Sequence, residues 1–353
     1  MALTLVMITQ VVDEEDPVLG FTCGWIRTLA KHVEKLEVIC LREGKHDISG
    51  NVSISVMPVG KLRRFLYLKR YLKKGLSENR IDAVLAHMCP IYAVVAGSVL
   101  RGRIPVGLWY VHSSITWKLK CAVKRSQVVF TCAEKGSISI KTDKLVITGH
   151  GIDTEKFRLA PSRNRTREFR IISVGRISPL KRYHTLIPAL GVLNKELSSD
   201  KIEYHIYGPK AGGSYRSYAE ELLRAAEEAG LSEVLILKGP VSYLHINQVY
   251  HEADLLVNMT PHVYDKVVLE ACACGVPVFT TNKDYRDLFG KHADMLIADT
   301  GDPHKIAAKL EGLLKMDPEQ RDELGGFLRQ QVLNSHSLDG LMKRIVDTFE
   351  SII

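Results

Sequence analysis

Short apolar runs bounded by polar turns recur along the chain, with room for one helix between most successive runs. In the first half the runs Leu3–Ile8, Glu37–Leu41, Val52–Met57, Ala83–Ala86, Val106–Val111, Val128–Thr131 and Leu145–Ile147 read as buried strands. Helices are expected over Gly24–Val33, the basic stretch 61–74 and Tyr92–Leu100. The second half alternates more regularly. Strands at 169–174, 202–207, 234–237, 254–257 and 276–280 are separated by helical patterns at 182–194, 215–229, 245–251 and 266–274. Such alternation predicts a parallel, doubly wound sheet in each half, because a parallel crossover needs an intervening helix. Helices over Ile306–Leu314 and Gln320–Leu333 and an amphipathic segment over 338–353 close the chain. Asp153–Arg167 has no periodicity and contains Pro161 and the run Arg163-Asn-Arg-Thr-Arg167, as a linker would. The expected domains are therefore 1–158 and 159–337.

Two stretches carry chemistry. Phe169–Val174 runs into Gly175-Arg176, and Ile177-Ser-Pro-Leu-Lys181 leads to the expected helix from Arg182. Arg176 and Lys181 thus sit at the carboxyl end of a strand, where open α/β sheets bind ligands. Arginine offers a fixed fork to two phosphate oxygens and lysine a mobile point charge. About ninety residues later a polar loop, Pro261–Asp265, feeds the helix Lys266–Cys274, which Gly275-Val-Pro277 ends. The helix start presents backbone N–H groups to an anion near Lys266 and Val267. Glu270, one turn in, offers a carboxylate able to accept two hydroxyl hydrogen bonds. Either stretch alone is compatible with solvated surface charge; their occurrence in one half of the chain favours a shared anion site.

Gly175-Arg176 and Lys181, followed by Leu269-Glu270-Ala-Cys-Ala-Cys-Gly275-Val-Pro277-Val278, resemble retaining glycosyltransferases of family 4. Gly149-His-Gly151-Ile-Asp153-Thr-Glu-Lys-Phe157, Gly239-Pro-Val241 and Tyr250-His-Glu-Ala-Asp254 add weaker matches, and the resemblance covers nearly the whole chain. It implies an α/β GT-B fold, two doubly wound, Rossmann-like parallel-sheet domains facing across a cleft, with the last helix returning to the first domain. It implies transfer of a hexosyl group from a UDP- or GDP-type sugar donor to a sugar or lipid-linked acceptor, with retention of configuration. On that resemblance Gly175, Arg176, Lys181, Val241, His262, Asp265, Lys266, Val267 and Glu270 bind the donor. Arg176 and Lys181 neutralise the departing diphosphate, so neither cofactor nor metal is implied, and no convincing Asp-x-Asp metal loop appears in the sequence. The same resemblance implies that His112 lies near the transferred sugar as a catalytic residue beside Arg176 and Lys181, with Gly20 and His87 on the acceptor side. The acidic run Asp13-Glu14-Glu15-Asp16 reads either as gripping acceptor hydroxyls, through Asp13 and Asp16, or as a solvated loop.

One departure bears on activity. The family's second donor-site glutamate, eight residues before the position of Glu270, is His262 here, with Asp265 and Lys266 in the same loop as substitutes. A non-catalytic sugar-nucleotide-binding or scaffold protein and a sugar-nucleotide epimerase are the alternatives. The loop around Gly20 matches the family's glycine pair only in part, and its lack of Gly-x-Gly-x-x-Gly argues against a nicotinamide cofactor. Gly212-Gly213-Ser214 suits either a flap over the nucleotide or a surface turn.

Composition narrows the partners. The 353 residues are 46% hydrophobic and carry a net charge of +8, a globular balance that favours anionic partners. No recognisable nucleic-acid reading module accompanies the charge, so no nucleic acid is expected. Stretch 61–74 combines cations with Leu62, Phe65, Leu66 and Leu72, the pattern of either a membrane-surface helix or a packed helix with a basic rim. Seven cysteines without Cys-x-x-Cys spacing support neither a disulfide framework nor a zinc site. The resulting expectation is a cytoplasmic protein, peripheral at most on the inner face of the cell membrane.

Overall fold

The computed structural model describes residues 3–16, 18–112, 114–134, 140–160, 168–196, 202–298 and 302–353. The run Arg163–Arg167 and Pro161 of the expected linker lie outside these. The contacts divide the chain into two compact units, Met1–Asp153 with Ser335–Ile353, and Thr154–Asn334. The chain passes between units after Asp153, five residues before the expected boundary at 158.

The first unit contains β1 (Thr4–Ile8), β2 (Val11–Val12), β3 (Lys35–Cys40), β4 (Arg42–Glu43), β5 (Val52–Val56), β6 (Ala83–His87), β7 (Val106–Trp109), β8 (Val128–Thr131) and β9 (Leu145–Ile147). Seven of these form one parallel sheet in the order β5-β3-β1-β6-β7-β8-β9, and β2 pairs with β4 in a small separate ladder. The order reverses beside β1, as doubly wound sheets do. Helices α1 (Phe21–Ala30), α2 (Lys61–Ser77), α3 (Pro90–Leu100) and α4 (Trp117–Arg125) connect the strands. The terminal helix Leu338–Ile352 buries Leu341, Met342, Ile345 and Phe349 in this unit, Phe349 meeting Phe130 edge-on at 5.7 Å.

Helix α2 packs by one edge only. Its buried stripe is Leu68, Leu72 and Gly75, whereas Leu62, Phe65 and Leu66 are exposed. The register is set by the helix's far end. A Cβ at Gly75 would lie 2.1 Å from Ile81, and Tyr71 and Arg80 both reach the buried carboxylate of Glu37 on β3.

The second unit holds β10 (Phe169–Val174), β11 (Ile202–Tyr207), β12 (Leu235–Gly239), β13 (Leu255–Asn258) and β14 (Val278–Thr280), parallel in the order β12-β11-β10-β13-β14. Its helices are α5 (Ile187–Glu196), α6 (Tyr218–Glu228), α7 (Ile246–His251), α8 (Lys266–Ala273), α9 (Arg286–Phe289), α10 (Ala293–Leu296), α11 (Pro303–Leu314) and α12 (Pro318–His336); the terminal helix is α13. Helix α5 begins at Ile187, not at Arg182 as the pattern predicts. Arg182 takes a left-handed φ of 52° between two 3₁₀ turns, which breaks the α-helical path. Gly212 and Arg216 flank a 3₁₀ turn, Gly213–Tyr215, at the position of the expected glycine loop.

Candidate functional site

The carboxyl ends of β10 and β11 meet through two glycines. Gly175 has φ 145° and Gly208 φ 154°, and a Cβ on Gly208 would fall 2.0 Å from the Gly175 carbonyl oxygen. Only glycine allows that approach. Gly175 also makes room for Lys181, whose Cε would lie 3.0 Å from a Cβ at 175, and its carbonyl accepts a 2.9 Å hydrogen bond from the Tyr183 hydroxyl. The aliphatic stem of Lys181 therefore lies over the glycine.

Lys181 is brought to the start of α8, where its ammonium bonds Asp265. Asp265 Oδ2 also accepts from Asn258 Nδ2 at 3.1 Å. The loop carrying Asp265 is tightly built. The Tyr285 hydroxyl bonds both the backbone N–H and the carbonyl of Asp265, and the Tyr285 ring stacks on Tyr264 at 4.5 Å and on Phe289 at 5.7 Å. Asn282 Nδ2 donates to the Val263 carbonyl at 2.9 Å. The first α8 turn closes through Val268 N–H to the Asp265 carbonyl at 3.2 Å. Arg176 is exposed and has no ion-pair partner among the described residues. His262 is exposed too, with a left-handed φ of 57°.

Glu270 is 5% exposed, and its Oε2 accepts a 2.9 Å hydrogen bond from the Tyr250 hydroxyl of α7. Burial pushes its carboxyl above the ordinary value, an effect opposed by Lys266, Tyr250 and Lys156. Both lysines also address Tyr243, in the turn that follows Val241: Lys156 Nζ lies 4.0 Å and Lys266 Nζ 5.6 Å from its ring centroid. Phe157 packs edge-on to Tyr243 and Tyr250, each at 5.9 Å. Arg329 fixes the segment behind Lys156 by donating to the Phe157, Thr154 and Ala273 carbonyls, the last at the end of α8. Val241, Lys266 and Val267 are half-buried.

Thus Gly175, Lys181, Asp265, Lys266 and Glu270 belong to one neighbourhood, with Arg176 at its exposed edge. Sequence reasoning missed Lys156, Tyr243, Tyr250, Asn258 and Tyr285. Lys156 and Tyr250 stand in motifs that carry the resemblance, while Tyr243, Asn258 and Tyr285 leave no periodic or motif signal. Among the described residues no group of three or more His, Cys, Asp or Glu is arranged to hold a metal ion.

The candidates of the first unit are arranged differently. His87 is 1% exposed, bonds Thr9 Oγ1 through Nδ1 at 3.1 Å, and packs against Trp25, Trp109 and Phe21. His112 lies three residues beyond β7 and is exposed, its ring 5.9 Å from that of Tyr110. The four acids expected to be solvated or to grip an acceptor are each ion-paired: Asp13 and Asp16 with Arg42, Glu14 with Arg27, and Glu15 with Lys45. Asp16 further accepts from Val18 and Leu19 N–H groups at 3.0 and 2.7 Å, shaping the turn into α1. These carboxylates act as internal counter-ions and caps, because Arg42 on β4 is carried beside them by the β2–β4 ladder. Gly20 precedes α1 with an ordinary φ of −56°.

Residues 154–330, half of the chain, match the family model described as glycosyl transferases group 1. The D-inositol 3-phosphate glycosyltransferase of Paenarthrobacter aurescens (strain TC1) is 29% identical over 148 residues, 40% of this chain and 35% of that protein. The chain thus matches about a third of the length of that curated relative. Among solved structures, a glycosyltransferase from Rickettsia africae ESF-5 superposes with a TM-score of 0.74 at 13% identity, covering 98% of each chain. Anabaena Alr3699/HepE in complex with UDP and glucose gives 0.74 at 17% identity, covering 99% of this chain and 100% of that one. The shared fold, two Rossmann-like units each with its own parallel sheet, is GT-B. The family match spans the unit that holds Gly175, Lys181 and Glu270, and on that basis the chain belongs to the glycosyl transferases group 1 family.

Proposed function

We propose that the chain transfers a hexosyl group from a nucleoside diphosphate sugar, UDP-type in the first instance, to a hydroxyl of a sugar or lipid-linked acceptor. The observation that carries this reading is the convergence of Lys181, the start of α8 and buried Glu270 within one unit. Lys181 and exposed Arg176 take the diphosphate. Glu270, oriented by Tyr250, accepts from the ribose hydroxyls, and the turn at Val241 borders the base. The family relationship and the UDP and glucose bound by the Anabaena protein support the donor class.

In the reaction the bond between the sugar's anomeric carbon and the phosphate oxygen breaks, and the acceptor oxygen takes that carbon. The acceptor proton passes to the leaving diphosphate. Charge gathers on that diphosphate in the transition state, and losing one preorganised contact of this kind costs about 3 kcal/mol. Retention, and independence of a metal, follow the resemblance to family 4 enzymes. The acceptor is assigned to the first unit on the same ground, with His112 exposed near the end of β7 and His87 as a buried support.

Thermal shifts with UDP, GDP and ADP test the donor. One nucleotide should raise the melting temperature by mass action, and silence from all three would end both the transferase and the scaffold readings. Turnover of the matching sugar donor in EDTA, with product configuration followed by NMR, tests the finer statements; an inverted product or metal-dependent turnover would refute them.

Helix α2 supports a peripheral membrane reading. Arg63, Arg70 and Lys74 border a groove of about 410 Å³ floored by Pro58, Leu66, Tyr67 and Tyr71, and Leu62 and Phe65 stand exposed beside it. Cations near an anionic surface contribute about 1 kcal/mol each. Cosedimentation with anionic but not neutral vesicles, abolished by high salt, is the expected result. No helix among the described residues is long and apolar enough to cross a membrane.

A further inference from the structure

The loop before α8 places a carboxylate where an anion is expected to bind. Asp265 is largely buried, and its Oδ2 is shared between the Lys181 ammonium and Asn258 Nδ2. This is not a chance surface pair. Tyr285 fixes the Asp265 backbone on both sides, the Tyr264–Tyr285–Phe289 stack holds the loop, and Gly175 lets the Lys181 stem lie flat toward it. Asn258 holds Asp265 independently of Lys181.

Two consequences follow from the charges. With no donor present, the Lys181 charge is balanced by Asp265, so an arriving diphosphate competes with a built-in anion for the same ammonium. Once the ammonium turns to phosphate, Asp265 is left beside that phosphate with Asn258 as partner and lone pairs open to new donors. The transferred hexose hangs from the same phosphate through one oxygen, and its hydroxyls are the neutral donors that a carboxylate accepts best in pairs. His262 is a poorer candidate for that contact, being exposed on a left-handed turn.

We propose that Asp265 is a specificity-determining residue for the donor sugar, masked by Lys181 until a diphosphate draws that lysine away. The proposal rests on the donor-site reading above. It assigns opposite effects to one side chain: Asp265 opposes the bare nucleotide and favours the sugar attached to it.

The variant Asp265→Asn keeps size and hydrogen bonding and removes the charge. The probe is whichever of UDP or GDP stabilises the wild-type chain, titrated calorimetrically at low ionic strength. Asp265→Asn should bind it about tenfold tighter, the combined effect of freeing the Lys181 ammonium and removing one nearby like charge in a partly solvated site. For the glucose, galactose or N-acetylglucosamine conjugate of that nucleotide that wild type turns over fastest, kcat/KM should fall at the same time. In a Lys181→Met background the tightening should shrink to the direct carboxylate–phosphate repulsion alone, because there is no ammonium left to compete for. Unchanged or weaker nucleotide binding by Asp265→Asn, at a native melting temperature, overturns the proposal, as does tightening that is just as large without Lys181. A merely structural Asp265 would lower both quantities. A wild-type chain that answers to neither nucleotide overturns the donor-site reading itself.

Discussion

The Tyr250 hydroxyl donates a 2.9 Å hydrogen bond to Glu270 Oε2, and both side chains are buried. Burial raises the Glu270 carboxyl above its ordinary value, so in the window between those two values the folded state holds more protons than the unfolded one. Stability therefore falls as pH rises through that window, and above it the buried charge is a fixed cost. Glu270→Gln should gain stability relative to wild type as pH rises through the same window and lose its thermal response to nucleotide. Melting curves from pH 4 to 8, with and without UDP, read both (about four pH steps suffice).

Tyr250→Phe removes the donor and leaves the carboxylate short of a partner. A loss of about 1–3 kcal/mol is expected from chemical denaturation. Glutamine at 270 in the same background should recover part of it, since an amide tolerates the apolar neighbour better than a charge does.

Gly175→Ala tests the seat of Lys181. The new methyl would enter backbone at φ 145° and press on Lys181 Cε at 3.0 Å. A cost of about 1–3 kcal/mol is expected. Nucleotide affinity should fall as well, because the lysine stem is lifted from its bed. Equal affinity in the variant would mean that Lys181 does not reach the ligand from this position.

Arg42 holds Asp13 and Asp16 together in the first unit. Its side chain is half-exposed, so Arg42→Ala should cost under about 1 kcal/mol in global stability. Amide exchange should nevertheless quicken at Val18 and Leu19, whose N–H groups rest on Asp16. Protection unchanged at those two amides would show that the turn keeps itself.

Cysteine chemistry gives a final check. Cys23, Cys40 and Cys89 are buried, with thiols pushed up to about 12, about 11 and about 12 by burial, whereas Cys121 is exposed. Native protein should titrate one fast thiol with a disulfide reagent at pH 8, and Cys121→Ser should remove it.

The sequence carries much of this fold because each buried parallel strand writes an apolar run and each crossover writes a helical period. Gly175-Arg176, Lys181 and the Glu270–Pro277 stretch were legible for the same local reason: their functions depend on neighbours a few residues away. What stayed hidden joins distant segments. Lys181 meets Asp265 from 84 residues away, and Lys156 crosses to Tyr243 without any periodic trace. The acidic run at Asp13–Asp16 read as solvated because nothing in its own composition reveals that Arg27, Arg42 and Lys45 are folded against it. The start of α5 was misplaced because one left-handed residue, Arg182, interrupts an otherwise helical pattern.

The helix Leu338–Ile352 supplies Leu341, Ile345 and Phe349 to the interior of a unit that otherwise consists of Met1–Asp153 and the short segment leading into the helix from Ser335. During synthesis every residue of the second unit leaves the ribosome before that helix does. The amino-terminal half must therefore wait, with the sheet surface around Gly107 and Phe130 uncovered, while the later half already has all it needs to fold. Order of maturation and order of translation run in opposite directions.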